Sequence, residues 1–137
     1  TPTVTPMPTY TPFSTATPTP TPTPDASSYN NKGKDYFNDG KYQLAINEFT
    51  TAIRLNADYT NAYISRGLSY HNLGILLLGQ TSGEFQNAIA DYTKAIQLDP
   101  DFAWAYNNRA AAYNKLGQDE HADADRAKAC ELDSKYC

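Results

Sequence analysis

An internal repeat constrains this chain more than any other feature. Tyr29, Gly33 and Tyr36 return as Tyr63, Gly67 and Tyr70 at an offset of 34 residues, and again as Tyr106, Ala110 and Tyr113 a further 43 on. A second set follows each first: Ala45, Phe49, Ala52 and Ile53 correspond to Ala88, Tyr92, Ala95 and Ile96, then to Ala122, Arg126, Ala129 and Cys130. Within each set the steps are those of one helix face. A two-helix unit cannot bury its apolar side alone, so the units must stack. The pattern predicts helices near 26–39, 42–56, 60–78, 84–98, 103–116 and 119–132, an all-α chain with no strand.

The residue types explain how such helices meet. Gly33, Gly67 and Ala110 let the two helices of a hairpin approach closely, and Ala52, Ala95 and Ala129 do the same toward the next hairpin. The tyrosines at 29, 36, 63, 70, 106 and 113 are expected to fill the space between them. Two places depart from the repeat. The middle unit carries nine extra residues around Ile75 to Gly83, whose run of apolar side chains should lengthen the first helix of that unit and leave an exposed patch. In the last unit Asp119, Asp123 and Arg126 replace apolar positions, as suits a terminal unit with no following hairpin to cover it.

Strings such as NAYISRGLSYHNLG, EFTTAIRLNADYTNAYISRG and NAIADYTKAIQLDPDFAWAYNNRA resemble the tetratricopeptide-repeat (TPR) family, over roughly residues 26 to 136 and at the family period. The resemblance implies a right-handed solenoid of three hairpins over 25–137, with repeats at about 26–59, 60–102 and 103–136. It also implies that the first helix of each hairpin lines a concave groove for an extended peptide or a partner helix. Carried onto this chain, the lining is Asn30, Lys34, Phe37 and Asn38, then Asn61, Ile64, Leu68, His71 and Asn72, then Trp104, Asn107, Asn108 and Asn114. Some members hold a C-terminal carboxylate with a clamp of Lys, Asn and Arg. Here Trp104 and Asn108 stand at two clamp positions, which speaks against a carboxylate-tail receptor. A neutral, amide-rich lining with apolar contacts suits an uncharged, proline-rich ligand instead.

Composition breaks at Asp25. Before it lie eight of the nine prolines, ten threonines and no charged side chain. Proline fixes φ and removes donors, so residues 1–24 read as an extended arm of polyproline-II type, with the Thr/Pro composition of O-glycosylated stalks. Val4, Met7, Tyr10 and Phe13 are its large apolar residues, spaced by three, so a threefold screw sets all four on one face. Strict Thr-Pro alternation from Thr17 to Pro24 makes a spacer of about 25 Å at about 3.1 Å per residue.

The remaining signals exclude more than they assign. Eleven Lys and Arg against fifteen Asp and Glu give a net charge of −4 without a basic patch, which argues against nucleic acid as partner. No apolar run approaches the length of a membrane span. The chain opens with Thr1 rather than Met, which reads as a processed or excised protein. His71 and His121 fall in different hairpins, and there is no phosphate loop or paired nucleophile and base, so no catalysis and no cofactor are expected. His121 and Asp125 lie one helical turn apart, too few ligands for a metal site. Cys130 and Cys137 are expected to pair, the alternative in a reducing compartment being two independent thiols. If they pair, the last helix must stop by about Asp133. Together these features predict a secreted or surface protein that binds protein, foremost other copies of itself through the arm. The alternative is a monomeric scaffold on a Thr-Pro stalk that binds a different protein.

Overall fold

The computed structural model describes residues 1–3, 24–77 and 82–137. The arm residues Val4, Met7, Tyr10 and Phe13 and the core of the insertion at 78–81 lie outside them. Six α-helices follow in order: α1 (Ala26–Asn38), α2 (Tyr42–Leu55), α3 (Thr60–Leu76), α4 (Gly83–Leu98), α5 (Ala103–Lys115) and α6 (Asp119–Leu132), then a short 3₁₀ turn, Ser134–Tyr136. There is no strand among the described residues. Each helix packs on its neighbours in sequence, α1 on α2, α3 on α4 and α5 on α6 within hairpins, α2 on α3 and α4 on α5 between them.

Local chemistry sets the ends. Asp25 caps α1, its carboxylate accepting from the Ser28 N–H at 2.9 Å. The turns after α1 and α5 are closed the same way, by Gly40 at φ 71° and Gly117 at φ 67°, where a side chain would be strained. The second repeat has Gly74 at that register, and there the outcome differs. The insertion lets α3 run on to Leu76, so Gly74 becomes a buried helical residue whose missing Cβ makes room for the Phe85 ring. At 17 residues α3 outreaches α1 and α5, each of 13, and its end exposes Ile75, Leu76 and Leu77 as expected.

The core is made of small residues around two rings. Among the described residues nine alanines, including Ala45, Ala52, Ala88, Ala95, Ala122 and Ala129, are fully enclosed, with Phe49 and Tyr92 as the largest fully enclosed apolar side chains. Gly33 lies under Phe49 and Gly67 under Tyr92, where an added Cβ would come within 2.6 Å and 2.8 Å of ring carbons. The expectation that the six repeated tyrosines fill the core is corrected. Only Tyr63 is buried, and the other five are half-buried. Cations cover several of the repeated rings, the buried one included: Lys32 over Tyr36, Arg66 over Tyr63, and Arg109 over both Tyr106 and Tyr113. The Tyr63 and Tyr106 hydroxyls donate to the carbonyls of Ala57 and Pro100, pinning equivalent inter-repeat turns.

The far end closes covalently. Cys130 and Cys137 are bonded, their Cα atoms 4.7 Å apart, and α6 stops at Leu132 with Asp133 in an extended conformation. Asp119, Asp123 and Arg126 on α6 are exposed, Arg126 pairing with Asp123 at 2.8 Å.

Candidate functional site

The first helices of the three hairpins, α1, α3 and α5, carry all thirteen residues expected to line the groove. Lys34, Asn38, Asn61 and Asn114 are exposed, and Phe37, Leu68, His71, Asn72, Trp104, Asn107 and Asn108 are half-buried. The other two are not free surface. Asn30 is 1% exposed and Ile64 is 6% exposed, Ile64 within a core cluster with Tyr63, Ala95 and Ala105. The two share one register, and each is followed by another hairpin that covers it. Asn107, the third at that register, has no following hairpin and stays half-buried.

The amides are also less available than their number suggests. Asn72 Nδ2 donates to the Leu68 carbonyl at 2.9 Å, and Asn108 Nδ2 donates to the Trp104 carbonyl at 2.8 Å. Trp104 stacks on Phe102 with ring centroids 6.1 Å apart, both packed against the core cluster around Ile64. The His71 ring stands edge-on to Phe85 at 5.4 Å, its buried Nδ1 without a hydrogen bond. Burial, and then the charge of Lys115, hold its pKa below the ordinary histidine value.

Between α1 and α3 the surface opens into a cavity of about 130 Å³, lined by Lys34, Phe37, Asn38, Phe49, Ser65 and Leu68. Phe49 is fully enclosed and forms the floor, while the exposed Lys34 and Asn38 stand at the mouth. At the corresponding places between α3 and α5 the chain has Asn108 for Ser65 and Ala111 for Leu68.

A ladder of ion pairs holds the array that carries this surface, and sequence reasoning missed it. Arg66 of α3 binds Asp91 of α4 through two hydrogen bonds and donates a third to Thr50 Oγ1 of the preceding hairpin at 3.0 Å. Arg109 of α5 repeats the pattern with Asp125 of α6 and Thr93 of α4. Lys32 and Glu48, 2.9 Å apart, occupy the same places in the first hairpin. Burial is the strongest influence on the Arg66 charge and opposes it, but the hydrogen bond to Asp91, the Asp91 charge and the nearby Tyr70 and Tyr63 together outweigh it, so the pKa stands above the ordinary arginine value. For Arg109 the bond to Asp125 is the leading cause of a rise. Lys32, Arg66 and Arg109 share one register, as do Glu48, Asp91 and Asp125, and that was the signal available in the sequence. Asp125 is thus committed to Arg109, and His121 packs on Tyr113 at 5.1 Å. Among the described residues no group of three or more His, Cys, Asp or Glu is placed to hold a metal, and no helix is long and apolar enough to cross a membrane.

Residues 33–74 and 81–117 match a family model described as TPR repeat, and residues 105–136 match one described as tetratricopeptide repeat. A comparison with curated proteins finds no match. Among solved structures, the first TPR of Spaghetti (RPAP3) bound to the HSP90 peptide SRMEEVD is similar at 27% identity and TM-score 0.72, over 80% of each chain. The Arabidopsis OM64 TPR domain gives 27% identity and TM-score 0.72, over 80% of this chain and 84% of that one. MamA gives 32% identity and TM-score 0.71 over 81% of this chain, which spans 56% of MamA.

Proposed function

The chain belongs to the tetratricopeptide-repeat family, and from that premise we propose that it is a non-catalytic module whose concave face takes an extended, uncharged polypeptide. The cavity between α1 and α3 carries this reading: an apolar pocket with a polar mouth, opening on the face where this architecture presents ligands. A similar domain bound to an HSP90 peptide supports peptide binding as the mode. That peptide is acidic, whereas Trp104 and Asn108 here supply no cation, so an acidic tail is not the ligand we propose.

The ligand we assign is the arm of another copy. It has no charged side chain, and the spacing by three of Val4, Met7, Tyr10 and Phe13 would set them on one face if the arm takes a threefold screw. An arm-to-groove contact is heterologous, so copies joined this way close into rings or run on as filaments. The Cys130–Cys137 bond and the Thr/Pro composition favour an extracellular or cell-surface setting, with threonines of the arm as O-glycan acceptors. Intact mass on native material reads those glycans as hexose additions.

Sedimentation velocity over a range of concentrations tests the assembly. The full chain should grow into larger species, whereas a chain lacking residues 1–16 should remain a folded monomer. Equal assembly of both would remove self-docking. A full chain that stays monomeric would instead favour a scaffold for a different protein, displayed on the Thr-Pro stalk.

A further inference from the structure

We propose that the cavity between α1 and α3 is the anchor of this recognition and receives the side chain of Phe13 from the arm of another copy. The proposal rests on the arm-docking reading and goes beyond it by naming the pocket, the side chain and the groups that hold the backbone beside it.

Size comes first. An apolar cavity of about 150 Å³ lined by Leu, Ile and Phe admits a benzene ring. The cavity here is about 130 Å³, with Phe37, Leu68 and the enclosed ring of Phe49 supplying the apolar surface. Gly33 makes the floor possible, because a Cβ there would meet the Phe49 ring at 2.6 Å and displace it. The pocket therefore suits one aromatic ring, and the arm offers two, Tyr10 and Phe13.

Polarity chooses between them. A tyrosine entering ring-first would carry its hydroxyl to the floor, against Phe49, where it would lose water without gaining a partner. Phenylalanine loses nothing there. The polar lining is placed for something else: Lys34 and Asn38 are exposed at the mouth, and Ser65 is half-buried. Lysine is a donor without acceptor capacity, and the Asn38 amide adds two more donor hydrogens. A proline-rich strand has the complementary excess, because its carbonyls lack internal partners and its prolines lack N–H groups. Pro12, immediately before Phe13, brings such a carbonyl to the mouth.

Reach decides whose arm it is. The cavity lies nine to thirteen residues into the helical side of Asp25, about 14 to 20 Å along α1 at about 1.5 Å per residue. Phe13 lies eleven residues before Pro24, about 34 Å away if extended at about 3.1 Å per residue. The Thr-Pro alternation from Thr17 to Pro24 alone, at about 25 Å if extended, would carry Phe13 past its own cavity, so a neighbouring copy is the fitting acceptor.

The test uses the full chain carrying Tyr10→Ser and Phe13→Ser, which leaves its cavity intact and silences its arm. A fluorescent peptide of residues 1–16 is titrated against it by anisotropy. We expect saturable binding that weakens by about tenfold or more when the peptide carries Phe13→Ala, the scale of an interface anchor, and far less with Tyr10→Ala. Leu68→Glu and, separately, Ser65→Trp in the receptor should weaken binding to the same degree while leaving helical circular dichroism unchanged. Binding that ignores both receptor changes, or depends on Tyr10 rather than Phe13, overturns the anchor assignment and leaves arm docking standing. An uncharged peptide outcompeted by an acidic one of equal length also overturns it. No binding at all overturns the arm-docking reading itself.

Discussion

Arg66 crosses 25 residues of sequence to hold Asp91 with two hydrogen bonds, 2.8 Å from Nε to Oδ2 and 2.7 Å from Nη2 to Oδ1. Its third bond, to Thr50, belongs to the hairpin before, so one guanidinium ties three helices: α2, α3 and α4. Repeat proteins are stable through their nearest-neighbour interfaces, and here a polar group joins two of them. The groove between α1, α3 and α5 keeps its spacing only if those interfaces hold.

Removing one partner of a buried pair strands the other charge, at a cost of about 3 to 5 kcal/mol, whereas exposed pairs contribute about 1 kcal/mol or less. The charge left behind would be Arg66, whose side chain is 18% exposed, in one pair and Lys32, 56% exposed, in the other. Asp91→Asn should therefore lower unfolding free energy in urea by about 3 kcal/mol, near the bottom of that range because Arg66 is only partly enclosed. Glu48→Gln, at the matching place, should lower it by less than about 1 kcal/mol. Equal losses would show that burial does not decide between them. Arg66→Lys should behave like Asp91→Asn, since an ammonium cannot span Asp91 and Thr50 as the planar fork does.

The glycine under each ring makes a second prediction. Alanine at Gly67 would set a Cβ 2.8 Å from the Tyr92 ring, an overpacking cost of about 1 to 3 kcal/mol, against about 1 kcal/mol gained in helix propensity. Gly67→Ala should be destabilising on balance, by about 1 kcal/mol. Pairing it with Tyr92→Leu should recover the propensity term, and double-mutant denaturation measures that coupling. Tyr92→Phe alone should cost nothing and can stabilise, because the buried hydroxyl has no partner.

The helices were legible because the Tyr, Gly and Ala register repeats three times, and their ends fall within a residue or two of expectation. The longer α3 was legible as well, from the apolar run of the insertion, but the place of Gly74 was not. A turn glycine and a buried helical glycine look alike in sequence, and only the insertion turns Gly74 from one into the other. At the groove, Asn30 and Ile64 carry both family roles, lining the concave face and packing under the next helix, and periodicity cannot say which dominates. The cavity was not legible, since it depends on the size of Ser65 and on the separation of α1 from α3. The ion-pair ladder could have been read from the shared register of Lys32, Arg66 and Arg109.

Cys130 holds the place of Ile53 and Ile96, which the following hairpins cover, and here the tail itself returns through Cys137 to that place. Closing so short a loop restricts the unfolded chain by about 2 to 2.5 kcal/mol in the chain-entropy model. Reduction, or Cys137→Ser, should cost about that much, and the effect should stay local because each repeat touches only its neighbours. Hydrogen exchange should quicken at the last turn of α6 while α1 and α2 keep their protection. Uniform loss along the chain would instead reveal one cooperative unit.

His71 sets a pH dependence whose sign follows from its surroundings. Its Nδ1 is buried without a partner, Phe85 lies edge-on against the ring, and burial with Lys115 depresses its pKa in the fold. Unfolded, the same side chain takes up a proton near its ordinary value, 6.5. Between the folded and unfolded values the unfolded state therefore binds more protons, and stability rises with pH across that window. Above about pH 6.5 the His71 contribution is fully present. It is lost as pH falls below that value, and the loss levels off once the folded ring is protonated as well. Urea midpoints at pH 7.5, 6.0 and 5.0 should show this decline in the unmodified chain and a shallower one in His71→Phe, with His121 kept in both. Parallel profiles for the two would mean that the folded ring takes its proton as readily as the unfolded one, and that burial against Phe85 and the charge of Lys115 do not govern its charge.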